Sequence, residues 1–394
     1  MFLALQILIW TSLALVAYAY ILFPAILWAW SKTAAPRDSG SANTLTESDW
    51  PFVSLVVAAY KEEKDIVQRL HNALAQDYPA DRFEIIIGCD GNEDRTGELV
   101  QSFTDPRVRL LQYPQRRGKA SVLNDSVPQA RGEIIIFSDA NTEMDPQAFR
   151  QLVRPFVDSS VGGVCGNLIL QDSLTGQNVD GAYWKYENFL KRHEAKIGAL
   201  LGVNGGIYAI RKSLYQPIPS NTIIDDFLIG MRIHLQGYQL LYEPRAIAYE
   251  ETPETMAAEF HRRVRIGAGG FQSLVWLKSL LHPSYGSLAF CFLSHKLLRW
   301  LCPFFMLAAF VGNLFLINHD WYARLLLLQS LFYLTATAGL WLFKTVPAPK
   351  WMRLPAMFVS MNTALFFGFF RWLKGIQQGT WKRTERSTMQ GAAR

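Results

Sequence analysis

The chain has 394 residues, a formal net charge of +6 and a sequence pI near 9.0, and half of its residues are hydrophobic. A basic chain can bind nucleic acid, but no RNP-like, zinc-finger or basic-zipper pattern is present, so nucleic acid is not an expected partner. Many Lys and Arg residues instead border long apolar runs, a placement typical of membrane edges. The cysteines show no metal-binding spacing and are predicted to be buried thiols.

The first predicted element is a transmembrane helix over residues 1–31. No charged residue precedes Lys32, and at about 1.5 Å per residue such a run crosses a hydrocarbon layer about 30 Å thick. A cleaved signal peptide would have a basic start and a shorter apolar segment. Because Lys32 and Arg37 follow the run, we expect the next part of the chain in the cytoplasm. Residues 32–50 are predicted to form a polar linker.

An alternation of strands and helices follows, which predicts a mostly parallel sheet with helices on both faces. Short apolar runs indicate strands, and amphipathic stretches between them indicate helices. The predicted strands are 53–59, 83–89, 108–112, 133–138, 208–211 and 239–242, and the predicted helices are 63–76, 118–130, 183–201 and 227–236. We assign residues 51–252 to one α/β domain.

The remainder of the chain is predicted to be associated with the membrane. Residues 253–285 form a basic amphipathic stretch suited to a membrane surface, and residues 286–375 contain three further apolar spans, with a basic cytoplasmic tail at 376–394. With the α/β domain inside, three full crossings would place this tail outside, against the preference of its positive charges. Residues 354–370 are short for a span, so we expect a re-entrant or interfacial segment there.

A candidate metal site follows the strand predicted at 133–138. In an extended segment residues i and i+2 point to the same side, so Asp139 and Asn141 can face one ligand together. Mg²⁺ and Mn²⁺ prefer such oxygen ligands, with the remainder supplied by phosphate and water. The alternative is a turn in which Asp139 and Asn141 only bond the backbone.

Three further positions indicate a binding site for an anion and a general base. Asp90 ends a strand before Gly91, which allows close approach of a ligand. Lys119 opens a helix, where the dipole disfavours a cation and an anion is therefore indicated, although a surface lysine is the alternative. Asp225 and Asp226 also open a helix. Capping explains one of them, whereas a carboxylate in a partly dry site can act as a general base.

Taken in chain order, these motifs resemble the family 2 membrane glycosyltransferases, which include cellulose, chitin, hyaluronan and poly-N-acetylglucosamine synthases. The resemblance covers about residues 51–281 and rests on Cys89-Asp-Gly-Asn92, Arg117-Gly-Lys-Ala120, Ser138-Asp-Ala-Asn-Thr142, Asp225-Asp226 and Arg262-Arg-Val-Arg265. It implies a GT-A type domain that binds a nucleotide-sugar and is flanked by transmembrane helices.

The resemblance also implies a role for each matched residue. On the donor side it assigns Asp90 to the uracil-ribose part, Lys119 to the diphosphate, and Arg262 and Arg265 to the leaving diphosphate. It assigns Asp139 and Asn141 to Mg²⁺ or Mn²⁺. It assigns Asp226, with Asp225, to the general base, and Gly205 and Gly206 to the acceptor. Asn141 replaces the second acid of the metal motif. Ile266 stands where the polymerising synthases have a tryptophan, which puts processive polymerisation in doubt.

The expected function is inverting transfer of a sugar from a UDP-sugar to a membrane-associated or growing glycan, in exopolysaccharide or cell-envelope synthesis. The expected location is a bacterial plasma membrane, and export subunits would be partners of a polymer-forming enzyme. The alternatives are a non-processive glycolipid glycosyltransferase similar to ceramide glucosyltransferase, and a non-catalytic membrane subunit with a nucleotide-binding domain. A nicotinamide oxidoreductase is excluded, because Gly-x-Gly-x-x-Gly does not follow the first strand.

Overall fold

The computed structural model describes residues 1–34, 49–171, 181–251, 256–342 and 349–375. The chain divides into two units. Among the described residues, the helical unit comprises 1–33, 181–193, 259–342 and 349–375, and the sheet unit comprises 34, 49–171, 194–251 and 256–258. Most of the predicted linker 32–50 and the whole predicted tail 376–394 lie outside the described residues.

A mixed sheet of eight strands forms the core of the sheet unit. Its strands are β1 (Val53–Ala59), β2 (Phe83–Asp90), β3 (Val108–Tyr113), β4 (Ile134–Ser138), β5 (Glu143–Met144), β6 (Val161–Gln171), β7 (Tyr208–Arg211) and β8 (Gln239–Glu251). Their spatial order is β3-β2-β1-β4-β7-β6-β8-β5. Strands β1 to β4 pair in parallel, as do β6 and β8, whereas β7 runs antiparallel to β4 and β6.

The central strands are mostly apolar, and their polar residues are Ser54, Glu84, Asp90 and Ser138. Every residue of β1, β2 and β4 is buried, which is the pattern of a parallel sheet covered on both faces. The predicted strands at 53–59 and 208–211 have the observed bounds, and those at 83–89, 108–112 and 133–138 differ from the observed strands by one residue. The predicted buried thiols are confirmed, since all of the cysteines are free and buried.

Three strands differ from the sequence prediction, and one of them, the two-residue strand β5, was not predicted. Strand β6 was not predicted, because its three glycines reduce strand propensity. Close packing requires at least one of them, since a Cβ atom at Gly162 would lie 2.6 Å from side-chain atoms of Ile233 and Tyr238. Strand β8 continues to Glu251 instead of ending at residue 242. An irregularity in its pairing with β6 accommodates Pro244, which cannot donate to the sheet.

Both units contain helices. In chain order they are α1 (Phe2–Ala17), α2 (Phe23–Thr33), α3 (Ile66–Leu74), α4 (Thr96–Gln101), α5 (Lys119–Gln129), α6 (Ala148–Val153), α7 (Ala182–Lys196), α8 (Asp225–Leu235), α9 (Met256–Trp276), α10 (Ser287–Cys291), α11 (Leu298–Phe315), α12 (Asp320–Leu342) and α13 (Lys350–Leu373). One π-helical turn joins α1 to α2, and a second joins α10 to α11.

Among its described residues, the helical unit contains four segments that could cross a membrane by length and composition: Phe2–Thr33, Ser287–Phe315, Asp320–Trp341 and Trp351–Leu373. The last of these spans 23 residues and is longer than the predicted segment 354–370. A helix of this length can cross a hydrocarbon layer of about 30 Å. Its expected re-entrant or interfacial placement stays a prediction.

Residues 181–193 lie inside the predicted domain 51–252 but pack with the helical unit. A buried ion pair explains this packing, because Glu187 of α7 lies 2.6 Å from Arg299 of α11. The guanidinium of Arg299 also lies over the rings of Tyr183 and Tyr186. A buried pair of this kind is costly to break, since either charge alone would remain without compensation.

The glycine-rich part of α9 serves helix packing. A Cβ atom on Gly368 of α13 would lie 2.8 Å from the backbone nitrogen of Ala268 and 2.9 Å from the carbonyl carbon of Gly267. The two backbones therefore approach more closely than larger residues would permit. The prediction that residues 253–285 lie on a membrane surface stays a prediction.

Candidate active site

Lys119 lies within an acidic cluster at the carboxyl end of β4. Its Nζ atom lies 2.7 Å from Oδ1 of Asp139 and 3.3 Å from Oδ2 of Asp225. Burial lowers the pKa of Lys119, but the nearby carboxylates of Asp139, Asp225 and Asp226 outweigh burial, so that the pKa of Lys119 is raised. The ammonium group therefore stays charged and neutralises part of the cluster.

Asp90 fixes the loop that presents Lys119. Its Oδ1 atom accepts a hydrogen bond from the backbone N–H of Arg117 at 2.6 Å, and its Oδ2 atom accepts one from Gly118 at 2.8 Å. Gly118 has a φ of +90°, a conformation that favours glycine. The side chain of Asp90 is buried, and both of its oxygens already have partners. Its predicted contact with the uracil-ribose part of a donor stays a prediction.

Asp226 has the properties of a general base. Burial raises its pKa to about 6, with a further contribution from the charge of Asp225, while Lys119 and the backbone N–H of Phe227 act in the opposite direction. A carboxylate with this pKa is deprotonated at neutral pH, yet it holds a proton more strongly than an exposed aspartate does. The structure thus brings both predicted acids, Asp225 and Asp226, next to Lys119.

The predicted acceptor-side glycines lie against this cluster. A Cβ atom on Gly205 would lie 3.0 Å from Oδ2 of Asp226, and one on Gly206 would lie 3.0 Å from Oγ1 of Thr142. The hydroxyl of Ser138 donates to the carbonyl oxygen of Gly206 at 2.9 Å. The glycine loop is therefore held close to both Asp226 and the segment that carries the predicted metal ligands. Contact of this loop with an acceptor stays a prediction.

The predicted metal ligands suit a hard divalent cation. Asp139 offers a carboxylate and Asn141 an amide, and the Nδ2 atom of Asn141 is buried without a hydrogen-bond partner among the described residues. Rotation of this amide by 180° about χ2 would present its oxygen at the same position, where it could bind a cation. In the described ranges no three His, Cys, Asp or Glu residues are placed to hold a metal ion. The donor set therefore fits Mg²⁺ or Mn²⁺ only if substrate oxygens complete the coordination.

Arg262 and Arg265 belong to α9, and both lie in the helical unit. Arg262 forms an ion pair with Glu259, at 2.7 Å between Nε and Oε2. Their predicted contact with the leaving diphosphate stays a prediction. The predicted site residues that the structure brings together are those of the sheet unit: Lys119, Asp139, Asp225, Asp226 and the glycine loop.

Two buried hydroxyl groups near the site were not predicted as site residues. The Oγ1 atom of Thr142 and the hydroxyl of Tyr208 both lack a hydrogen-bond partner within the described parts of the chain. Tyr208 lies opposite Phe137 in the pairing of β7 with β4. Its position follows from an antiparallel pairing between distant segments, and the local sequence gives no signal for such a pairing.

Comparisons with known proteins show which sequences this chain is similar to. Residues 54–216 match the model of the family described as glycosyl transferase family 2. The poly-beta-1,6-N-acetyl-D-glucosamine synthases of Staphylococcus epidermidis and Staphylococcus aureus strain COL are each 29% identical over 230 residues, covering 57% of this chain and 55% of the relative. The chain thus matches about half the length of these curated relatives.

A solved structure has a similar fold over most of the chain. It is the mannosyltransferase PcManGT from Pyrobaculum calidifontis in complex with GDP-Man and Mn²⁺, with a TM-score of 0.71 and 22% identity over 93% of this chain and 99% of that chain. The predicted GT-A-like α/β fold, flanked by candidate membrane helices, is confirmed. The predicted family 2 glycosyltransferase domain is also confirmed.

Proposed function

We propose that this chain, which carries a glycosyl transferase family 2 domain at residues 54–216, transfers a sugar from a UDP-sugar to a membrane-associated or growing glycan acceptor with inversion of configuration. The observation that supports this proposal is the placement of Asp226, with a pKa raised to about 6, next to Lys119 and Asp139. Asp226 can accept a proton, Lys119 can bind a diphosphate, and Asp139 can bind the cation that accompanies it.

The reaction requires a base on the acceptor side and positive charge on the donor side. Asp226 takes the proton of the acceptor hydroxyl while the hydroxyl oxygen attacks the anomeric carbon. The bond from that carbon to the diphosphate oxygen breaks, and the nucleoside diphosphate leaves with the electron pair. Lys119 stabilises the negative charge that grows on the leaving group. A single displacement of this kind inverts the anomeric configuration and needs no covalent intermediate.

Asp139 and Asn141 would hold a divalent cation, and the bound cation would neutralise part of the charge on the diphosphate. Mn²⁺ and a nucleotide-sugar occur together in the mannosyltransferase of similar fold, which supports testing the same classes of ligand here. Its nucleotide is GDP, so the donor panel must include GDP-sugars as well as UDP-sugars. Arg262 and Arg265 are proposed as further diphosphate ligands.

We place the protein in a bacterial plasma membrane with the sheet unit in the cytoplasm. Four candidate spans support a membrane location, and Lys32, which follows the first apolar run, favours the cytoplasmic side for the sheet unit. The named relatives are poly-beta-1,6-N-acetyl-D-glucosamine synthases, so UDP-N-acetylglucosamine is the first donor to test. The proposed role is exopolysaccharide or cell-envelope synthesis, with export subunits as partners of a polymer-forming enzyme.

The test is nucleotide release by the full chain in native membranes. UDP and GDP release would be followed with a panel of nucleotide-sugars and either Mn²⁺ or Mg²⁺, with Asp226→Asn as the matched control. We expect one donor to give metal-dependent release that the control loses. Nucleotide binding without release from any donor would instead favour the non-catalytic membrane subunit and overturn the proposal.

Analysis of the product separates the two catalytic alternatives. A ladder of increasing glycan lengths would support a polymer-forming synthase. A single sugar attached to an extractable lipid would support a non-processive glycolipid glycosyltransferase, the alternative that Ile266 favours because no tryptophan occupies that position.

A further inference from the structure

Arg69 of α3 is a buried cation without an ion pair. The residue is 2% exposed, and it pairs with no carboxylate among the residues that the structure describes. Its Nη1 atom donates to Oδ1 of Asn72 at 2.6 Å, its Nη2 atom contacts the sulfur of Met144 at 3.6 Å, and its Nε atom makes no hydrogen bond in the same ranges. Burial lowers the pKa of Arg69 to about 10, so the guanidinium is charged at neutral pH.

A charge in these surroundings is unfavourable for stability. The transfer of an ion from water into a protein interior is costly unless a counter-ion and a full set of hydrogen bonds compensate it. An apolar side chain of similar volume often makes the folded state more stable than a buried charge does. The placement of Arg69 is therefore better explained by what its contacts hold in place than by stability.

Arg69 belongs to a set of side chains that hold the backbone of Met144. Asn72 accepts a hydrogen bond from the N–H of Met144 at 2.9 Å and donates one to its carbonyl oxygen at 2.8 Å. Gln76 donates to the same carbonyl oxygen at 3.5 Å. Because Arg69 donates to the amide oxygen of Asn72, it fixes the orientation in which this amide matches both backbone groups. We call Arg69, Asn72 and Gln76 the Met144 clamp.

The sheet alone gives Met144 little support. Strand β5 contains two residues, lies at the edge of the sheet and pairs with β8 on one side. A strand this short forms few hydrogen bonds and separates easily from its neighbour. The Met144 clamp adds support from the side of α3.

Met144 ends the segment that carries the predicted metal ligands. Asp139 and Asn141 precede it by five and three residues, and the N–H of Thr142 donates to the carbonyl oxygen of Asp139 at 3.3 Å. A cation bound here would receive an oxygen from each of the two predicted ligands. Such oxygens must be held to within about 0.5 Å of their binding positions. A segment with one end free to move would not meet this requirement.

We propose that Arg69 is a positioning residue, which acts through Asn72 and Met144 to hold Asp139 and Asn141 in the arrangement that binds Mn²⁺ or Mg²⁺. The planar guanidinium contacts Asn72 and Met144 with two separate nitrogens, whereas lysine has one compact ammonium group. This inference rests on the proposed function, because it takes Asp139 and Asn141 as the metal ligands.

The first test is hydrogen exchange of the full chain without added nucleotide or metal. Arg69→Lys keeps the charge and loses the fork, and Arg69→Met loses both at similar volume. In both variants we expect the amides of residues 139–145 to exchange about 10 times faster than in the wild type, because the clamp is broken. Exchange in the rest of the sheet unit should change little.

The matched control is Arg211→Lys. Arg211 also binds backbone carbonyl oxygens through its guanidinium, but it lies opposite Ile134, at the end of β4 remote from Asp139. The control should lose some stability and leave the exchange of residues 139–145 unchanged. An equal acceleration there in Arg211→Lys would indicate a general loss of order and overturn the proposal.

The second test measures the effect of the metal on nucleotide binding. Titration calorimetry of UDP, and of GDP in parallel, with and without Mn²⁺ gives the factor by which Mn²⁺ raises nucleotide affinity. Mn²⁺ binds the free nucleotide equally in every sample, so the comparison between variants isolates the contribution of the protein. Arg69→Lys and Arg69→Met should reduce this factor about 10 times, with affinity in the absence of metal little changed. A loss in Arg69→Met alone would assign the effect to charge and overturn the positioning role.

A double substitution tests the route through Asn72. Asn72→Ala should reduce the Mn²⁺ factor as much as Arg69→Met does. In the Asn72→Ala background, Arg69→Met should have almost no additional effect, because both side chains act through the same contact with Met144. Additive effects would overturn this route.

The outcomes separate this inference from the proposed function. Unchanged exchange in Arg69→Lys and Arg69→Met, or faster exchange with an unchanged Mn²⁺ factor, would overturn the inference even if sugar transfer is confirmed. Faster exchange with a reduced factor, in a protein without turnover, would support it while the proposed transfer fails. If Mn²⁺ does not raise nucleotide affinity in the wild type, the inference is overturned, whereas metal-independent transfer would still support a transferase.

Discussion

Glu84 and Asp226 are acidic side chains of the same sheet unit, and their surroundings shift their pKa values in opposite directions. Glu84 lies near the amino end of β2 and is completely buried. Its Oε1 atom accepts hydrogen bonds from Ser54 and from the backbone N–H of Arg131, and its Oε2 atom accepts them from the side chains of Arg109 and Arg131. Asp226, at the start of α8, accepts one backbone hydrogen bond, from Phe227.

Burial raises the pKa of both carboxylates, and the remaining interactions decide the outcome. For Glu84 the hydrogen bonds outweigh burial, so its pKa is lowered. For Asp226 they do not, and its pKa rises to about 6. Burial of an acid is therefore not by itself evidence of a catalytic role. A buried carboxylate whose oxygens all accept hydrogen bonds stabilises the fold. A buried carboxylate with few hydrogen bonds can take part in proton transfer.

The largest expected effect concerns Asp226, whose carboxylate accepts fewer hydrogen bonds than that of Glu84. Asp226→Asn should lower the rate of sugar transfer by a factor of about 10² to 10⁴, because the amide cannot accept the proton of the acceptor hydroxyl. Donor affinity should change little, as measured by UDP binding with Mn²⁺. If the variant retained more than a tenth of the wild-type rate, Asp226 would not be the base.

The second prediction concerns stability and pH. The raised pKa of Asp226 stabilises the folded state fully only below the ordinary aspartate value near 3.9, and this contribution is lost as the pH rises through about 6. Between pH 4 and pH 7, Asp226→Asn should therefore gain up to about 3 kcal/mol in free energy of unfolding relative to the wild type. Chemical denaturation at both pH values measures this gain. A constant difference between the two proteins would contradict the raised pKa.

For Glu84, whose carboxylate is fully hydrogen-bonded, substitution should change the stability in the opposite direction. Glu84→Gln should lower the free energy of unfolding by about 1 to 3 kcal/mol at pH 7, because charge-assisted hydrogen bonds are lost. The deficit should shrink as the pH falls below about 4.3 and through the lowered pKa of Glu84. The rate per folded molecule should stay near that of the wild type. A large loss of rate without a loss of stability would remove the distinction between these two acids.

The smallest expected effect is at the metal segment. Asn141→Asp adds a second carboxylate beside Asp139, and we expect transfer within a factor of about ten of the wild-type rate, with half-maximal activity at a lower Mn²⁺ concentration. Titration of the transfer rate with Mn²⁺ measures this shift, and Asn141→Leu is a control that removes the amide oxygen at similar size. Identical metal dependence in all three proteins would exclude position 141 as a ligand.

The sequence predicts the parts of the molecule that depend on local patterns. Strands β1 and β4 are mainly apolar runs. Asp139 stands out because it follows the end of a strand, and Lys119 stands out because it begins a helix.

Glu84 lies within the mainly apolar strand β2. No feature of the neighbouring sequence indicates that Arg109 and Arg131 would donate hydrogen bonds to its carboxylate. Tyr208 is equally hidden, because its buried position depends on pairing between β7 and β4, which are about 70 residues apart.

The same pairing has a consequence for biosynthesis. The outer edge of β4, with the apolar segment Ile134-Ile-Ile-Phe137, is covered only when β7 pairs with it. Residue 211 is synthesised 73 positions after residue 138, which takes about 4 to 15 seconds at typical bacterial and eukaryotic rates of translation. During this interval a partly folded chain presents an unpaired, uncharged β-edge to its neighbours. A ribosome-associated chaperone that shields β4 should therefore limit aggregation of the nascent chain more than one that acts after release.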